Sequence, residues 1–321
     1  MIDSTLQIVK ACFYEEKTWT KNTLHTHLGL SLSGITSALK TLQENREILY
    51  CGDEESTGGR KSKQYQLNPD YHHILKIILE HKEEQDVLYA IDVNLLNEEL
   101  FRKIAPVRPM TPSSLKQNLL SMLEEDERIH MIVISIPGIC TQGKIRMCDI
   151  EGLINTSLQE ELKDLHKALI IENDVNTGAI GLSHHYSQYD NIALVYQPSS
   201  KYSGSGLIIN RRLYNGFSHA SGELRYLPAY SLHQQDQLLK EDPQCLLKNQ
   251  VQSLISILNP DLIAICSDVV TDIPDLMFDD IPKSDLPEII EIKTIYNVIE
   301  YGLYQISMSA FKGDTNEYKL Y

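Results

Sequence analysis

The 321-residue sequence has no closely spaced cysteine pair: Cys12, Cys51, Cys140, Cys148, Cys245 and Cys266 are scattered along it. That spacing fits neither a disulfide framework nor a structural zinc knuckle, and reduced, mostly buried thiols are expected. No apolar run reaches the ~18 residues that a membrane-spanning helix needs. The opening Met1-Ile2-Asp3-Ser4 lacks the basic-then-apolar profile of a secretion signal, so a cytoplasmic location is expected. Positive charge is also short, with 29 Lys and Arg against 44 Asp and Glu and a net charge of −15. By itself this disfavours nucleic acid as a partner, because DNA affinity rests on cations that neutralise phosphates.

The deficit is uneven. Residues 1–82 hold ten basic and ten acidic side chains, so all of the excess acidity lies beyond them. The chain is too long for one ordinary core and fits two or three domains of roughly 100 to 150 residues. Its 42% hydrophobic content is sufficient to build them.

Leu6, Val9 and Phe13 recur at helical spacing, which predicts a helix over 4–14 capped by Ser4. A second helix is expected over 22–28, ended by Gly29 in a left-handed cap. Ser31 then caps a third, whose apolar stripe is Leu32, Ile35, Leu39 and Leu42 and whose other face is Ser33, Thr36, Ser37 and Lys40. Helix, glycine turn and helix is the arrangement that lays a recognition helix in the major groove, and small hydroxyl residues with one lysine suit phosphates and base edges. Strand-like runs at 48–51 and 65–67 flank Gly58, Gly59, Arg60, Lys61 and Lys63, a hairpin with a basic tip. Together these predict a winged helix-turn-helix over 1–70 that binds double-stranded DNA through Ser31, Ser33, Thr36, Ser37, Lys40 and the wing residues. Residues 71–85, with Pro69 just before and a charged stretch at their end, are expected to be a linker.

Beyond residue 85 apolar runs at 87–91, 131–136 and 168–171 each end in polar residues, which places Asp92, Gly138, Asn173 and Asp174 at strand ends lining one cleft. Further runs at 192–196, 206–210 and 262–266, with helices at 251–258 and 296–311, indicate a second lobe.

Several blocks in order carry a more specific signal: Ser135-Ile136-Pro137-Gly138, Glu172-Asn173-Asp174-Val175-Asn176-Thr177-Gly178-Ala179, Gly204-Ser205-Gly206, Arg212-Leu213-Tyr214-Asn215-Gly216 and Ser221-Gly222-Glu223-Leu224. With Thr57-Gly58-Gly59-Arg60 in the wing, the chain resembles the ROK family of repressors, open reading frames and sugar kinases along nearly its whole length. The resemblance implies an α/β fold: a winged helix followed by a bilobal actin-like, ribonuclease H-like body. Its lobes are expected at 86–190 and 191–321, with the C-terminal helix packing back on the first. It also implies a homodimer or higher homo-oligomer. Asp174 matches the family's general base, and Asn173 and Glu223 match residues that hold sugar hydroxyls, although Asn173-Asp174 would equally suit a helix cap.

The phosphate-handling motifs of the family are not retained. Its kinases carry Asp-x-Gly-Gly-Thr after the first strand, a place that Asp92-Val93-Asn94-Leu95-Leu96 is expected to take in this chain. A later Gly-Gly turn corresponds to Cys266-Ser267-Asp268. The family's zinc ligands are also missing, since Tyr226 stands at the histidine position and 227–246 holds one cysteine. No metal and no cofactor are therefore expected. His219 and Arg225 are left either to contact an anionic ligand or to stand in for the structural role of the missing zinc site. The resulting expectation is a DNA-binding repressor whose kinase-like body is catalytically inactive and senses a carbohydrate or sugar phosphate. The alternative is an active ATP-dependent sugar kinase with an appended DNA-binding domain.

Overall fold

The computed structural model describes residues 2–15, 18–54, 61–82, 84–271, 273, 276 and 278–313. The N-terminal module consists of α1 (Ile2–Glu15), β1 (Thr18–Thr20), α2 (Lys21–Leu28), α3 (Leu32–Glu44), β2 (Ile48–Glu54) and β3 (Ser62–Leu67), the strands ordered β1-β3-β2. Val9, Phe13, Trp19, Leu24, Ile35, Leu39 and Leu42 are its buried core. Helix α1 starts at Ile2, so Ser4 lies within its first turn and is not its cap. Leu32 is also displaced from expectation: at the first position of α3 it faces outward and Ala38 completes the buried stripe.

The body opens with β4 (His73–Lys82), β5 (Gln85–Asn94) and β6 (Glu99–Pro106), an antiparallel meander. Next come α4 (Pro112–Glu125), β7 (Ile129–Ile136), the hairpin of β8 (Gly138–Thr141) and β9 (Lys144–Cys148), the short α5 (Leu158–Glu161), β10 (Ala168–Asn173) and α6 (Asp174–His185). β7 and β10 extend the first sheet in parallel, giving the order β10-β7-β4-β5-β6. A second sheet repeats the plan with β11 (Ile192–Gln197), β12 (Gly204–Ile209) and β13 (Arg212–Leu213) antiparallel. Helices α7 (Leu232–Glu241) and α8 (Pro243–Leu258) lead to β14 (Leu262–Ser267), and β15 (Glu288–Glu291) and α9 (Ile295–Lys312) complete it, in the order β13-β12-β11-β14-β15.

The two sheets interlock through their last helices. α6, which ends the first lobe, packs on β11 and β12 of the second; α9, which ends the second, packs on β4 and β7 of the first, and the two helices cross each other. One hydrophobic cluster therefore runs between both sheets and on into the winged module. At that junction Phe311 of α9 stacks on Tyr14 of α1, ring centroids 5.6 Å apart, and on His72 at 5.8 Å.

The segment expected as a linker is, over most of its length, the central strand β4. Its charged residues hid the pattern. Lys76 has no solvent exposure, yet its ammonium meets Glu300 Oε1 of α9 at 3.1 Å and Asn97 Oδ1 at 3.0 Å. Burial pulls the lysine pKa down and Glu300 opposes that shift. A buried charge is tolerated when it is paired, so the lysine does not exclude a core strand. Glu300→Gln, which strands the Lys76 charge, is expected to cost about 3 kcal/mol in urea unfolding. Lys76→Met combined with Glu300→Gln should cost less than Glu300→Gln alone, and a larger loss in the double variant would show that the pair is not the cause.

Candidate functional site

A cleft of about 530 Å³ opens between the lobes at the C-terminal ends of β4, β10 and β11. It brings together Gly138, Asn173, Asp174 and Glu223, and adds Asp149, Lys201, Tyr202 and Arg225. Asn173 ends β10 and caps α6: its Oδ1 accepts from Asn176 N at 2.9 Å, and its Nδ2 donates to the Gly138 carbonyl at 3.0 Å and to Asp174 Oδ1 at 2.9 Å. Its amide is thus engaged in holding the helix start and the Asp174 carboxylate. Asp174 Oδ1 also takes the Val175 amide at 2.9 Å. Burial raises the Asp174 pKa to about 7, against the pull of the Val175 amide, with the Asp149 and Glu223 carboxylates adding to the rise.

Glu223 is carried to the cleft by Gly222, whose φ of 82° belongs to the left-handed region and whose hydrogen faces the Ser205 carbonyl; a Cβ there would lie 1.7 Å from that oxygen. Glu223 Oε2 pairs with Arg225 Nη2 at 2.7 Å, and the guanidinium lies 5.4 Å from the ring centres of both Tyr202 and Tyr226. Burial raises the Glu223 pKa and Arg225 counters it. Asp149 is likewise raised by burial, with Lys201 opposing. Of the two residues left open by sequence, Arg225 faces the cleft, whereas His219 is not among its lining residues. Sequence reasoning missed Asp149. Its one signal was its place directly after Cys148 at the end of β9, a short strand that no apolar run announces.

Asp92 is not in the cleft. β5 runs antiparallel to β4, so its end lies beside the start of β4, with Asp92 Oδ1 3.8 Å from His73 Nδ1. The turn that follows, Asn94 to Glu98, faces the winged module, where Leu95 N donates to the Pro69 carbonyl. The assignment of Asp92-Val93-Asn94-Leu95-Leu96 as the phosphate loop is therefore wrong. The first strand of the body is β4, and its last residues, Glu80, His81 and Lys82, line the cleft. The chain has no glycine between Glu80 and Asp86. Glu80 accepts from Tyr89 Oη at 2.8 Å and His81 Nδ1 lies 2.7 Å from Asp86 Oδ1, so side chains occupy the strand end where a phosphate would need bare backbone. The second lobe's turn is filled too: Asp268 Oδ2 accepts from Tyr196 Oη at 3.0 Å, and Ser267 Oγ donates to Gln197 Oε1 at 2.8 Å.

Among the described residues, His73, Asp92 and Asp126 are the one group of potential metal ligands whose ligating atoms converge. Asp126, however, accepts from His73 Nδ1 at 2.7 Å and is gripped by Arg128 through Nε, Nη2 and the backbone amide. The group is an ion-pair network at the root of the winged module. Burial works against ionisation of Asp126, but the Arg128 hydrogen bonds hold its pKa down to about 2, while burial lifts Asp92 to about 6.

In the winged module Gly29, at φ 65°, makes the turn between α2 and α3, and Thr20 and Thr23 form a reciprocal capping box on α2. Ser31 caps α3 through Gly34 N at 3.2 Å. Ser33, Thr36, Ser37 and Lys40 all face solvent. Lys61 and Lys63 are exposed on the wing, Lys63 Nζ lying 5.9 Å from the Tyr50 ring centre. Gly58, Gly59 and Arg60 lie outside the described residues. Among the described residues no helix is long and apolar enough to cross a membrane.

No family model matches the chain. It is 24% identical over 215 residues to the xylose repressor of Bacillus subtilis strain 168, a match covering 62% of this chain and 53% of that protein. The chain thus spans about half the length of the curated relative it matches. Its fold follows that of a ROK family transcriptional regulator, a homologue of the Escherichia coli MLC protein, with a TM-score of 0.69 at 17% identity over 96% of this chain and 99% of the other. A ROK family protein from Streptococcus pneumoniae TIGR4, solved with sucrose, matches at a TM-score of 0.61 and 16% identity over 75% and 99%. ROK sugar kinases share the fold as well. The class defined by fold and cleft is a winged helix joined to an actin-like, sugar-kinase-like body. In fold the chain is similar to ROK family proteins, regulators and kinases alike.

A carboxyl that binds its proton more tightly in the folded than in the unfolded chain stabilises the fold fully below its unfolded pKa, near 4, and loses that contribution as pH rises through its folded pKa, here about 7. Wild-type stability relative to Asp174→Asn is therefore expected to fall by on the order of 4 kcal/mol between pH 4 and pH 7.5 in urea titrations. Parallel pH profiles for the two proteins would mean that Asp174 is solvated as an ordinary carboxylate.

Proposed function

We propose that this chain is a DNA-binding transcriptional regulator, a repressor, whose kinase-like body no longer transfers phosphoryl groups and instead senses a carbohydrate or sugar phosphate. The observation that carries this reading is the pairing, in one chain, of two features: a winged helix with its recognition face open to solvent, and a sugar-kinase-like cleft whose phosphate-side turn has no glycine. Asp174 and Glu223, with Asn173 fixing the helix start and Gly138 beside it, would grip polyol hydroxyls. Ser31, Ser33, Thr36, Ser37 and Lys40, with Gly58, Gly59, Arg60, Lys61 and Lys63 of the wing, would meet the operator. The body would form a homodimer or higher homo-oligomer, so the operator would be palindromic.

The second reading, an active sugar kinase, is favoured by one feature. A carboxyl with a pKa of about 7 is suited to accept a proton from a sugar hydroxyl near neutral pH. Asp174-dependent transfer of phosphate from Mg-ATP to any hexose or amino sugar would establish it and remove the first.

Two measurements test the regulator. Against a duplex selected from the parent genome, Lys61→Ala with Lys63→Ala should weaken binding and flatten the plot of log K against log salt by about 0.9 for each phosphate that is no longer neutralised. An unchanged slope would take the wing out of the interface. In calorimetry against sugars and their phosphates, at least one should bind and alter duplex affinity. Absence of heat across the panel would leave a DNA-binding protein without an effector in this cleft.

A further inference from the structure

The outward face of α3 carries hydroxyls that are largely engaged and apolar groups that are not. Ser31 Oγ caps the helix and lies 3.2 Å from Ser33 Oγ, and Thr36 Oγ1 donates back to the Leu32 carbonyl at 2.6 Å. Lys40 pairs with Glu44 at 3.6 Å. What the Thr36 side chain leaves uncommitted is its methyl. Leu32 lies four residues earlier on the same helix face and is 42% exposed, whereas the nearby Leu28 and Leu30 pack against the module's core. The core-facing stripe is already complete without Leu32, so the fold does not explain an apolar residue there.

Residues 31–38 contain no Arg, Lys, Asn or Gln, the side chains that make paired hydrogen bonds to guanine or adenine. The N-terminal turns of a recognition helix are the part that reaches base edges, and the distinctive apolar group on those edges is the thymine 5-methyl. We infer that Leu32 and the Thr36 methyl form an apolar pair that reads thymine methyl groups in the major groove, so that thymine-bearing half-sites are selected. This rests on the DNA-binding reading above. The hydroxyls beside the pair then orient the helix on the backbone and contribute little discrimination between bases.

The test uses the full chain and a duplex recovered from a random pool by selection. Each thymine is replaced in turn by deoxyuridine, which keeps the base pair and removes only the 5-methyl group. At one or two positions per half-site the affinity should fall about fourfold, the effect of withdrawing one buried methyl. At one such position Leu32→Ala should bind the thymine and uracil duplexes equally, and Thr36→Ser, which keeps the hydroxyl, should do so at another. Tolerance of uracil at every position, or penalties that persist unchanged in both variants, would overturn the inference while leaving the DNA-binding reading intact. Failure to select any duplex would defeat that reading, and the inference with it.

Discussion

An ammonium group without access to water persists in a protein interior only where a carboxylate meets it, and Lys76 in the middle of β4 meets Glu300 of α9. That contact fixes the strand against the helix that crosses from the other lobe. β4 then runs from the root of the winged module to the mouth of the cleft. Its first residue, His73, sits in the network with Asp92, Asp126 and Arg128, while Glu80, His81 and Lys82 at its far end face the cleft. α9 spans a similar path, lining the cleft through Tyr296 and Ile299 and stacking Phe311 on Tyr14 of the winged module. Two elements therefore touch both the cleft and the winged module, a direct mechanical path between them.

The position of β4 also decides which chemistry the cleft retains. Phosphoryl transfer depends on backbone amides that approach the phosphates unshielded and on charges placed to neutralise them. In this chain side chains already bonded to one another occupy both strand ends, Glu80 with Tyr89 and Asp268 with Tyr196. The Asp174 side of the cleft is different. Asp174 sits at a helix start with one oxygen engaged by Asn173 and Val175, and Glu223 and Asp149 share its desolvated surroundings. That arrangement is what the proposed polyol-holding role rests on.

Much of this was legible in the sequence because it is local. Gly29 and Ser31 mark the turn and cap of the helix-turn-helix, and the uninterrupted apolar runs of β7, β10, β11 and β14 announce buried parallel strands. β4 was not legible, because Lys76, Glu80, His81 and Lys82 break its pattern and the partner that lets Lys76 be buried, Glu300, is distant in sequence. Missing that strand shifted the phosphate loop by one element and placed Asp92 in a cleft it does not reach. Leu32 went astray for a related reason. Helical periodicity placed it on the apolar stripe, but the stripe closes on Ala38 and Leu32 is left at the rim of the face.

Whether the cleft binds a nucleotide decides between holding a ligand and transferring phosphate. Titration of the full chain with Mg-ATP by calorimetry, with and without a saturating sugar, should give no binding heat up to millimolar concentration. Saturable micromolar binding of Mg-ATP, abolished when Glu80 or Asp268 is altered, would contradict the ligand-holding role.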